Sequence, residues 1–95
     1  PRTAQSTSLE TSAAMVSGLY RWGFGAEARQ VVDALLAHQH AEGHWRGSVW
    51  TTGQVLHALM ADLSYSLTQG RSFRSPVERA MLSGCEWVYN QIQPN

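Results

Sequence analysis

The chain has 95 residues with seven acidic and seven basic side chains, so its formal net charge is zero. This length allows a single domain, in which about two-thirds or less of the unfolded surface is buried. All seven basic residues are arginines, and they are scattered along the sequence. Because nucleic-acid binding usually depends on a clustered basic surface, the composition argues against a DNA or RNA partner.

The single cysteine, Cys85, rules out a disulfide framework within the chain, which needs paired cysteines. It falls in a helical pattern, where a lone thiol is usually buried, and this favours a reducing, cytoplasmic location. No stretch approaches the ~20 apolar residues of a transmembrane helix, so no transmembrane segment is predicted. The chain starts with Pro1 rather than Met and ends where a motif is beginning, so we expect a piece of a longer protein.

Helical periodicity predicts two helices in the first half of the chain. The segment Thr7-Ser8-Leu9-Glu10 has the form of a capping box, with Thr7 as the cap and Glu10 reaching back to it. The first helix then carries apolar residues at helical spacing and stops near Gly23 (Leu9, Ala13, Val16, Tyr20). The second is expected to begin near Gly25 and to end where Gly43 adopts a left-handed conformation (stripe Ala28, Val32, Leu35, Leu36).

The second half of the chain predicts two further helices. Thr51 or Thr52 is expected to cap the third helix, and its inward positions are expected to be Val55 or Leu56, Leu59, Leu63 and Leu67. Residues 68–74 are predicted to be a loop. The run Ser75-Pro76-Val77-Glu78 predicts the start of the fourth helix, with serine at the cap and proline at the first helical position. Its apolar face is predicted to be Val77, Met81, Gly84 and Val88. Because no segment alternates with period two, the chain is predicted to be all-α.

The two helix pairs resemble each other, which predicts a repeat. Hairpin one spans about residues 8–45 and hairpin two about residues 51–95, and each has a glutamine near the end of its second helix (Gln39, Gln91). Helix pairs repeated at this interval are typical of solenoids and toroids. One hairpin cannot bury both its faces, so we expect contacts with other repeats, with a protein partner, or with a second copy in a homo-oligomer.

The pattern Ala34-Leu35-Leu36-x-x-Gln39-x-x-x-Gly43-x-Trp45-x-Gly47, followed by Thr52-x-x-x-Leu56-x-Ala58-Leu59, resembles the QW repeat of prenyltransferases and squalene cyclases. Residues 77–91 resemble the opening of a second copy. The resemblance implies an (α/α) toroid in which Gln39 hydrogen-bonds free backbone groups at a helix end and Trp45 stacks on that contact. It therefore implies a structural role for Gln39, Gly43 and Trp45.

The catalytic residues of that family have no counterpart in this sequence. Its cyclases protonate an alkene from an Asp-x-Asp-Asp run or bind magnesium through aspartate-rich runs, whereas Glu10 is the only acidic residue in the corresponding segment, 7–11. The zinc-binding Asp-x-Cys pair of protein prenyltransferases is also missing, because Ser83 precedes Cys85 by two positions. The sequence thus favours a non-catalytic toroid module that binds a partner protein or an apolar ligand. The alternative is an excised fragment of a terpenoid cyclase or prenyltransferase whose acid or metal site lies elsewhere.

A second resemblance concerns the tryptophan-rich segment 45–50. Its sequence WRGSVW is similar to a stretch of (α/α)6 glycoside hydrolases, and residues 18–28 (GLYRWGFGAEA) are similar to a helix pair of those enzymes. Tryptophans in that family help to line a sugar site. A piece of such a hydrolase is therefore a further alternative, although no carboxylate pair flanks either segment.

Five side chains are candidate contacts for a ligand or partner, and packing is the alternative interpretation of each: Tyr20, Trp22, Arg46, Trp50 and His57. A second group has the ligand types of a zinc site (His38, His40, Glu42, His44). Because Gly43 should interrupt any helix that would align these imidazoles, we interpret them as polar residues around a turn. No metal, cofactor or catalytic residue is predicted.

Overall fold

The computed structural model of the chain describes residues 8–70 and 75–93. Within these ranges it contains four α-helices and no strand: α1 (Leu9–Arg21), α2 (Gly25–Ala37), α3 (Val49–Thr68) and α4 (Ser75–Ile92). The prediction of an all-α chain with four helices is therefore confirmed. The prediction that Thr7 caps α1 is wrong, because Ser8 is the N-cap of this helix. The Ser75 side chain and residues 71–74 of the predicted loop lie outside the described residues. No described helix combines the length and the apolar character that crossing a membrane requires.

Serine side chains cap α1 and α3. Ser8 and Ser48 each accept a hydrogen bond of 3.0 Å from the backbone N–H three residues further on. The prediction that Thr51 or Thr52 caps α3 is wrong, because both threonines are buried in its first turn and bond to other elements. One of these partners is Glu10, whose carboxylate accepts a hydrogen bond from the Thr51 hydroxyl.

α1 and α2 are terminated in different ways, α1 beside a glycine with positive φ and α2 by a tightened last turn. α1 ends at Arg21 beside Gly23, which has a φ of 89°, as the sequence predicts. α2 ends at Ala37, where the N–H groups of the next two residues bond to carbonyls three positions back, at 3.1 and 3.2 Å. This tightened turn already terminates the helix. The prediction that Gly43 ends α2 is therefore wrong, although its φ of 110° does lie in the left-handed range.

The four helices form a slab with principal extents of 44 × 40 × 18 Å, about two helix diameters thick. α1 packs against α2 and α3, and α3 also packs against α4, whereas α1 and α4 make no contact within the described residues. α3 therefore separates α1 from α4. Every helix, together with the α2–α3 turn, contributes to the core: Ala13, Val16, Tyr20, Ala28, Val32, Leu35, Trp45, Val55, Ala58, Leu59, Val77 and Ala80.

The inward face of α3 is more polar than predicted. Val55 and Leu59 are fully buried, as expected, but Leu67 is 59 % exposed. Buried Asp62 and Ser66 continue the stripe from Leu59 at intervals of three and four residues, so Leu67 is rotated away from the core. The Asp62 carboxylate can be buried here because the Tyr20 hydroxyl of α1 donates a hydrogen bond to it.

The predicted apolar face of α4 is confirmed, and its cysteine is not part of it. Val77 and Gly84 are buried, and Met81 and Val88 are partly buried. Cys85, one position after Gly84, is exposed. The prediction of a buried thiol is therefore wrong, because adjacent helical residues differ by about 100° in direction.

Candidate functional site

The Gln39 side chain attaches the α2–α3 turn (residues 38–48) to α4. Its amide nitrogen donates to the carbonyl oxygen of Gly43 in the same turn, at 2.9 Å, and to that of Ala80 in α4, at 3.0 Å. An amide NH₂ has two donors, and both are used here. A single side chain thus closes the turn and joins it to a helix that is distant in the sequence.

Trp45 connects the same turn to α2 and α3. Its side chain is fully buried, and the indole Nε1 donates to the Leu35 carbonyl at 2.7 Å. This carbonyl lies in the last turn of α2, where it accepts a bond of 3.1 Å from the His38 N–H, and the indole uses its second acceptor position. The Trp45 backbone N–H donates to the Thr52 hydroxyl oxygen in α3 at 2.9 Å. One residue therefore satisfies the end of one helix and fixes the start of the next.

Two glycines allow the turn to approach α4 closely. A Cβ atom added to Gly43 would lie 2.5 Å from the Ser83 carbonyl oxygen. One added to Gly84 would lie 2.8 Å from the Leu56 side chain and 3.3 Å from the Trp45 ring. Gly43 thus needs glycine both for its positive φ and for this contact. The structure brings Gln39, Gly43 and Trp45 together in one turn.

The imidazoles of the turn form a compact cluster whose geometry does not suit a shared metal ion. The ligand atoms of His40, Glu42 and His44 all lie within 4.8 Å of one another. The two imidazole rings stack at 4.3 Å with an interplanar angle of 14°, so one ion cannot lie in both ring planes. Each Nδ1 also faces a backbone N–H, from Glu42 at 3.0 Å and from Gly47 at 2.9 Å, and must act as the acceptor. The cluster therefore orders the turn.

An open groove of about 780 Å³ lies between α1 and α3. Two of the five candidate residues, Tyr20 and His57, line it. Other lining residues are Ser17 and Arg21 from α1 and Met60, Ala61, Ser64, Tyr65 and Thr68 from α3. The groove therefore offers both apolar surface and hydroxyl groups.

Tyr20 and Tyr65 form an aromatic wall in this groove. Their rings stack with centroids 4.3 Å apart and an interplanar angle of 21°. The Tyr20 hydroxyl donates to the buried Asp62 carboxylate, and burial together with this bond raises the pKa of Tyr20 to about 12. The hydroxyl therefore keeps its proton near neutral pH. No motif in the sequence points directly to this pair, although Asp62 follows Leu59 by three positions on the inward stripe.

The other three candidates lie apart from the groove lining. Trp22 is 77 % exposed and borders a separate apolar depression with Phe24. Arg46, with a φ of 60°, and Trp50 are exposed near the start of α3. The Thr51 hydroxyl is the main cause of a lowered pKa at Glu10, and Arg46 adds a smaller contribution. The five predicted contact residues therefore lie on different surfaces of the molecule.

The chain matches no protein-family model, no curated protein and no solved structure. The functional argument therefore rests on the α2–α3 turn, the groove and the exposed aromatic side chains.

Proposed function

We propose that this chain is a non-catalytic helical-repeat module, similar to the squalene-cyclase repeats of (α/α) toroids, that binds an apolar ligand or an apolar segment of a partner protein. The observation that carries the proposal is the α1–α3 groove. Its volume of about 780 Å³ is within the range of ligand sites, which are mostly apolar with a few polar groups. The partly exposed Tyr65 ring would supply its flat apolar surface, held in place by the buried Tyr20 ring on which it stacks.

The packing order of the helices supports the repeat interpretation. The first helices of the two hairpins, α1 and α3, pack side by side, and each second helix packs on its own hairpin partner. The Gln39 amide adds a link from the first hairpin's end to Ala80 in the second hairpin. This is the arrangement expected when neighbouring repeats build a shared core.

The state of the buried tyrosine supports a binding role over proton transfer. The Tyr20 hydroxyl is engaged by Asp62 and keeps its proton until the pH reaches about 12. A general acid or base works best with a pKa near the operating pH. The pair is therefore better suited to holding the aromatic wall in place than to chemistry.

A calorimetric titration with farnesol, an apolar isoprenoid alcohol, and with an amphipathic helical peptide tests this proposal. Ser64→Trp places an indole in the groove at an exposed position, and Gln30→Trp places one on exposed α2 as the matched control. We expect at least one probe to bind the unaltered chain and the Gln30 variant, and to bind the Ser64 variant at least tenfold more weakly. Equal binding by both variants, or binding of neither probe to the unaltered chain, would contradict the proposal.

A carbohydrate-binding role is the second candidate, and the exposure of Trp50 favours it. This residue is 70 % exposed and belongs to the WRGSVW segment that resembles (α/α)6 glycoside hydrolases. An exposed indole offers an apolar ring face on which a sugar can stack. Fluorescence titration with linear oligosaccharides should then show binding that Trp50→Ala abolishes and that Trp22→Ala, a similarly exposed control, leaves intact. Binding that survives Trp50→Ala would remove this candidate.

A further inference from the structure

The two helices that form the α1–α3 groove carry three formally charged side chains: Glu10, Arg21 and Asp62. Both carboxylates accept a hydrogen bond from a hydroxyl of the other helix, Glu10 from Thr51 and Asp62 from Tyr20. Neither of these carboxylates lines the groove. With histidine neutral, Arg21 is therefore the one charged side chain among the described residues that line it.

No acidic side chain of the chain neutralises Arg21 in the groove. Arg21 is exposed, and it forms no ion pair within residues 8–70 and 75–93. All seven acidic side chains belong to these ranges, and none of them lines the groove. Segments 1–7 and 71–74 contain no aspartate or glutamate, so they cannot supply one. The groove thus presents a guanidinium that an anion can neutralise.

The register of the helices places Arg21 beside an apolar stretch of the groove. The two hydrogen bonds between α1 and α3 join residues 41 and 42 positions apart, so the helices run parallel. Arg21 is accordingly level with the middle of the α3 segment 57–68, which is about 17 Å long. Met60 and Ala61 line the groove before this level, and the hydroxyls of Ser64 and Thr68 lie beyond it. A cation, hydroxyl groups and an apolar surface thus follow one another along the groove.

We propose that the ligand of this groove is a fatty acid, whose carboxylate pairs with Arg21 and whose hydrocarbon chain lies over Met60 and Ala61. This ligand class rests on the proposed binding role of the same groove. Charge complementarity selects it, because one guanidinium neutralises one negative charge and its fork of donors matches the two oxygens of a carboxylate. The volume of about 780 Å³ is that of a small-molecule site, which favours a single-chain lipid over a protein segment.

Calorimetric titration of the full chain at neutral pH with dodecanoate and with dodecanol tests the pairing. The two probes have the same apolar chain, and both are used below their micelle concentrations. We expect dodecanoate to bind at least tenfold more tightly than dodecanol. Arg21→Gln should reduce dodecanoate to the affinity of dodecanol and leave dodecanol binding unchanged. Arg79→Gln, which removes an exposed arginine of α4 outside the groove, should keep the full preference.

Two further measurements separate the ion pair from a general effect of the substitution. Added salt screens exposed charges, so it should reduce the preference for dodecanoate in the unaltered chain and have no such effect in Arg21→Gln. Arg21→Lys keeps the positive charge but loses the fork of donors, so it should retain part of the preference. Circular dichroism establishes that each variant keeps its helices.

The possible failures are distinguishable. If dodecanol binds in the groove but dodecanoate is not preferred, or if the preference survives Arg21→Gln, the fatty-acid assignment is overturned while the proposed binding role stands. If neither probe binds the unaltered chain, both are overturned. An acidic helical peptide that binds through Arg21 and excludes dodecanoate would assign the groove to a protein partner instead, and would likewise overturn the fatty-acid assignment.

Discussion

Replacing Gly43 with alanine should show how tightly the α2–α3 turn presses on α4. Its φ of 110° alone would cost a residue with a Cβ atom about 1–2 kcal/mol. The added Cβ would also lie 2.5 Å from the Ser83 carbonyl oxygen, and no side-chain rotation relieves a clash with backbone. The turn must move, which weakens the bond from Gln39 to Ala80 and the packing around Gly84. Overpacking of this kind costs a further ~1–3 kcal/mol.

The matched control is Gly23→Ala. Gly23 has a similar φ of 89°, but nothing lies within 4 Å of a Cβ atom added there, so only the backbone strain remains. Urea unfolding followed by circular dichroism should give a loss of about 1–2 kcal/mol for Gly23→Ala and about 2–5 kcal/mol for Gly43→Ala. These are large fractions of a typical domain's stability of about 5–15 kcal/mol. Equal losses in the two variants would refute the close contact between the turn and α4.

Three further predictions concern hydrogen bonds between elements. Gln39→Met removes both amide bonds of the turn and should lower the free energy of unfolding by about 1–3 kcal/mol in urea titrations; an unchanged free energy would show that other contacts hold the turn. Asp62→Asn should lower the pKa of Tyr20 from about 12, as measured by absorbance at 295 nm; an unchanged pKa would refute the role of that carboxylate. Since the unfolded tyrosine loses its proton first, the stability of the unaltered chain should fall as the pH rises from about 10 to about 12. Thr51→Val should raise the pKa of Glu10, as measured by an NMR titration. Because the pKa of Glu10 is lowered in the folded unaltered chain, the contribution of Glu10 to stability should be lost as the pH falls below about 4.5.

The helices could be predicted from the sequence because their signals are local. Apolar spacing and Gly23 located α1, and the apolar stripe of α4 placed Val77 and Gly84 inward. The cap of α3 was missed because Ser48 and the threonines are equally suitable by residue type, and only the buried partners of Thr51 and Thr52 decide between them. The partner of Thr51, Glu10, lies far away in the sequence.

The candidate site was predictable only in part, for the same reason. Gln39, Gly43 and Trp45 are close in sequence, so the pattern that singled them out also placed them in one turn. Tyr20 and Trp22 are also close in sequence, yet helical residues two positions apart point in nearly opposite directions. They therefore belong to different surfaces, and the buried carboxylate that orients Tyr20 comes from α3.

The most direct test of the proposed binding role is to map, by NMR, where farnesol contacts the unaltered chain. Amide chemical-shift changes that saturate and cluster at Ser17, Ala61, Ser64 and Tyr65 are the result that the groove predicts. Changes confined to Trp22 and Phe24 or to Leu82, or no saturable change at all, would contradict the assignment of the α1–α3 groove as the binding surface.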